Sequence, residues 1–134
     1  MNFAFIKAQV TLLAEDEFAQ ESIEKLLQKM EQVLGSEFQI TDYLFQISRD
    51  YGVELEAGLF DDLYIYDFTL SQNEIYFCKQ TLASIHETEF FINKYKSTLK
   101  IYGEKKLDYN VLMPETPDQL LRYQSSIKQA IAKV

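Results

Sequence analysis

The chain has 134 residues, 47% of them hydrophobic and 25% charged, with 21 acids against 13 bases and a net charge of −8 at pH 7. That length suits a single domain whose core needs neither metal nor disulfides, and the apolar content is too high for a disordered chain. One cysteine excludes an internal disulfide, one cysteine with one histidine excludes a Cys/His metal centre, and the acidity disfavours binding to a phosphate backbone.

Residues 2–13 fit two patterns. Ala4, Ile6, Ala8, Val10 and Leu12 alternate as in a strand, while Phe3, Ile6, Val10 and Leu13 make a helical stripe. This start has neither a basic leader nor a small-residue cleavage site, and no stretch of the chain has the eighteen or more apolar residues of a membrane span. The expectation is a cytoplasmic protein without membrane association. Residues 16–34 read as a helix, with Phe18, Ile23, Leu26, Leu27, Met30, Val33 and Leu34 at three- and four-residue spacing and Gly35 as its stop.

From residue 37 the texture becomes aromatic and β-branched. Residues 38–47 read as a strand, 50–52 as a turn, and 53–57 as a strand whose Glu54 and Glu56 face water. A turn at 58–62 leads to the strongest strand, 63–70, apolar on nearly both faces and so expected in the middle of a sheet. Ser71-Gln72-Asn73-Glu74 fits a helix-opening capping box, and Ile75, Cys78, Leu82 and Ile85 then form a stripe that predicts a second helix to His86 or as far as Lys94. Residues 98–102 and 107–113 alternate on either side of a hairpin turn. Thr116 as N-cap and Pro117 at the first helical position open a terminal helix with the stripe Leu120, Tyr123, Ile127, Ile131 and Val134. The expected fold is therefore α+β: helix, three-stranded antiparallel meander, helix, β-hairpin, C-terminal helix. It occupies residues 1–134 as one domain, with 1–15 an additional strand or helix.

The charge is unevenly spread. Residues 1–49 carry −4, residues 50–78 carry −7 without a single base, 79–106 carry +3, and 107–134 are neutral. The −7 stretch is an acidic belt of Asp50, Glu54, Glu56, Asp61, Asp62, Asp67 and Glu74. A belt of this kind steers a basic partner inward, and it also serves simply to keep a protein soluble.

The inventory of chemical motifs points away from catalysis. Gly35, Gly52, Gly58 and Gly103 are too far apart for a phosphate-cradling loop, and no serine has the flanking glycines of a nucleophile elbow. His86 near a helix end suits hydrogen bonding to the last carbonyls, and Cys78 reads as a small hydrophobe with no base before it. Asp61 and Asp62 with Glu54 or Glu56 are the one set with conceivable Mg²⁺ or acid–base chemistry, but turn and wet-strand positions explain them as well. No enzyme activity, metal or cofactor is expected. Nine tyrosines and ten phenylalanines, by contrast, suit both a sheet core and a protein interface.

The order of elements, together with FDDLYIYDFTL at 60–70 and LDYNVLMPETPDQLLRYQSSIKQAI at 107–131, resembles the class I type III secretion chaperones, small acidic proteins that hold secreted effectors. The resemblance spans about residues 16–134 and departs from the family in its extra N-terminal residues, few glycines and tyrosine-rich sheet. It implies a homodimer built on the helix at 72–87, with Ile75, Phe77, Leu82 and Ile85 in the seam. It also implies an extended effector segment held in a groove of Leu26, Met30, Phe38, Ile40, Phe45 and Leu55, by apolar pockets and strand addition. The competing expectation is an immunity or inhibitor protein that neutralises a basic toxin or nuclease through an acidic docking surface of Glu54, Glu56, Asp61 and Asp62.

Overall fold

Of the two patterns open to the N-terminal residues, the helical one forms. The computed structural model describes residues 1–13, 17–48 and 54–134, the side chains of Phe18 and Ser48 excepted. Helix α1 (Phe3–Thr11) is capped by Asn2, whose side chain accepts from the Phe5 amide at 3.1 Å, and it buries Phe3, Ile6 and Val10. Leu13, the fourth member of the expected stripe, is exposed. Helix α2 (Glu17–Leu34) buries Ala19, Ile23, Leu26, Leu27 and Met30. Gly35 ends it at φ +91°, a left-handed conformation that a side chain resists, with its amide bonded to the Glu31 carbonyl at 2.7 Å.

The architecture is α+β, with three helices and two antiparallel sheets. The first sheet runs in the order β1 (Asp42–Ser48), β2 (Glu54–Phe60), β3 (Tyr64–Ser71), β4 (Glu74–Thr81), so the strong 63–70 segment does lie inside a sheet. Two boundaries differ from expectation. Residues 38–41 lead into β1 rather than belong to it, held where Ile40 and Met1 exchange backbone bonds of 2.7 and 2.8 Å. Gly58 sits within β2 opposite Leu44, so the turn shrinks to residues 61–63. The expected turn at 50–52, with Val53, lies outside the described residues.

The largest correction concerns residues 71–87, which form no helix. Gln72 and Asn73 adopt φ +51° and +65°, the two left-handed central residues of a tight hairpin, and the chain returns as β4. Both halves of the supposed capping box have other partners: Ser71 Oγ donates to Glu54 Oε1 at 3.1 Å, and Glu74 Oε2 accepts from the Tyr76 hydroxyl at 2.7 Å. Leu82–Ser84 is a single 3₁₀ turn, and β5 (Glu87–Ile92) follows where the helix was expected to continue.

The second sheet is β5, β6 (Lys96–Tyr102) and β7 (Lys106–Leu112), in that order, with α3 (Asp118–Ile131) packed on β5 and β6. Leu99, Ile101, Tyr109 and Val111 on the strands meet Leu120, Tyr123 and Ile127 of the helix, with the Tyr109 and Tyr123 rings edge to face at 6.0 Å. The start of α3 differs by one residue from expectation: Pro117 is itself the N-cap, without a side-chain cap bond, and Asp118 opens the helix. The β6–β7 turn is clamped by buried Gln80, which donates to the Lys105 carbonyl and accepts from its amide, each at 3.0 Å. Gly103 is required there because a Cβ would lie 2.5 Å from Gln80 Oε1 and 2.7 Å from Ile85 Cδ1.

These contacts divide the chain into two compact units. The first comprises Met1–Asp61 with Tyr66–Cys78, and the second Asp62–Ile65 with Lys79–Val134. No described helix is long and apolar enough to cross a membrane.

Candidate functional site

In the first unit, strand alternation assigns side chains to one or other face of the sheet. Leu55, Ala57 and Leu59 of β2 are buried on the side to which α2 packs. Phe45 lies opposite Ala57 and joins that side. On β3, Tyr66 and Phe68 point the same way, because Ser71, of opposite parity, bonds to Glu54 on the other face, and Phe77 of β4 joins them, 4.9 Å from Phe68 and 6.2 Å from Tyr66. The opposite face holds Gln46, Glu54, Glu56, Asp67, Thr69, Ser71, Glu74 and Tyr76, and toward its other end the fully buried Leu44 and Phe60. Two hydrogen bonds tie this face together, Ser71 to Glu54 and, at 3.2 Å, the Thr69 hydroxyl to Asp67 Oδ2.

Four carboxylates from three strands thus occupy one face, with no base among its described residues. The burial of the inner side fixes this arrangement, since a slip of one residue would exchange the faces. The acids line up along strands rather than converge, and no three potential ligands among the described residues gather closely enough to hold a metal ion. Tyr76 stands 57% exposed in their midst, and its hydrogen bond to Glu74, reinforced by the carboxylate charge, raises its pKa above the usual tyrosine value. The face presents carboxylates, hydroxyls and one aromatic ring, which is chemistry for docking a basic surface.

The expected site residues divide sharply. Leu26, Met30, Ile40, Phe45 and Leu55 are core side chains, at most 3% exposed, and Phe38 is half-buried with its ring 5.4 Å from Tyr66. As they stand they form the interior of the first unit rather than a groove. Ile75 and Phe77 sit on a strand, Leu82 and Ile85 are buried in the second unit, and no helical seam links the four. Glu54 and Glu56 belong to the acidic face, whereas Asp61 and Asp62 lie in the β2–β3 connection and Asp50 is outside the described residues. Asp67 and Glu74 already belong to the acidic belt though not to the four docking residues, and Tyr76 is the member that sequence reasoning missed. The alternation of Glu74, Tyr76 and Cys78 was the available signal, hidden by the helical spacing of Ile75, Cys78 and Leu82.

His86 is exposed, with Nδ1 3.4 Å from the Ser84 carbonyl and its ring 6.4 Å from Tyr102; Cys78 is half-buried on β4. The chain matches no protein-family model, no curated protein and no solved structure.

Proposed function

We propose that this chain is a non-catalytic binding protein that docks a basic protein partner on the acidic face of its first unit, in the manner of an inhibitor or immunity protein. The observation that carries the reading is the placement of Glu54, Glu56, Asp67 and Glu74 with exposed Tyr76 on one sheet face of a unit that holds fourteen acids and four bases, net −10. A field of that sign accelerates encounter with a basic surface, and the tyrosine supplies a rigid apolar contact once docked.

A second reading has its own support. Strand β4 ends its sheet, and Tyr76 and Phe77 on it are 57% and 43% exposed, so an extended segment added there would gain backbone bonds and aromatic contacts. That is the holding mode of a secretion chaperone. A homodimer of that kind would use β4 in place of a helix.

A display library of short segments and small basic domains, selected against the full chain, tests both readings. The first expects basic binders whose association slows steeply with salt and loses that dependence in a Glu54→Gln, Glu56→Gln, Asp67→Asn, Glu74→Gln variant that remains folded. Binders of no charge preference, indifferent to that variant but lost on Tyr76→Ser with Phe77→Ser, would replace it with the second.

A further inference from the structure

We draw no further inference here: the strongest candidate, the outer face of helix α1, where Phe5, Ala8 and Leu12 form an exposed apolar stripe, carries nothing because nothing in the structure shows what covers it.

Discussion

The two units share a plan and differ in sign. Each sets helix against one face of an antiparallel sheet and leaves polar side chains on the other, yet the first unit carries −10 and the second +2. In the first unit the polar face gathers carboxylates and hydroxyls; in the second it mixes lysines, an exposed phenylalanine and acids in alternating rows. The inner faces explain the similarity, because burial of aliphatic and aromatic side chains is the driving force common to both. The exposed parts of the outer faces are less bound by that requirement, and there the two units differ in charge.

The comparison predicts equal behaviour in the cores. Leu26→Ala in the first unit and Ile127→Ala in the second, both fully buried, should each lower stability by about 2–5 kcal/mol in denaturant titrations. A Leu26→Ala cost close to zero would show that Leu26 belongs to an open groove after all, and would break the likeness between the units.

The hairpins predict opposite signs for related substitutions. Gly103→Ala in the second unit drives a methyl group into Gln80 and Ile85 and should cost about 1–3 kcal/mol. Asn73→Gly in the first unit relieves a left-handed residue and should be neutral or stabilising by a few tenths of a kcal/mol. Chemical denaturation of the two variants side by side checks both the clamp and the turn.

The smallest effect lies on the polar faces. Tyr76 and Tyr102 are each raised in pKa, first by a hydrogen bond to a glutamate, Glu74 for one and Glu89 for the other. Because the folded value exceeds the ordinary one, the contribution to stability is complete below the ordinary tyrosine pKa and fades as pH rises through the raised value. Ultraviolet titration should show Glu74→Gln lowering the Tyr76 transition alone and Glu89→Gln lowering the Tyr102 transition alone. A shift of both by either substitution would contradict the local pairings.

The helices α2 and α3 and the β6–β7 hairpin were legible in the sequence, because an amphipathic stripe or a strict alternation records burial directly in the order of residues. The α+β class followed from them. What the order of residues left undecided was settled by partners distant in the chain. Ser71 and Glu74 carry a helix-opening pattern, but Ser71 bonds to Glu54, seventeen residues away, and the intervening pair turns left-handed to close a hairpin. Leu26 and Leu55 read equally well as groove or core until the sheet and helix met over them. The acidic belt was visible as composition, whereas its gathering of Glu54, Glu56, Asp67 and Glu74 on one face depends on strand register, which is fixed only when the opposite face is buried.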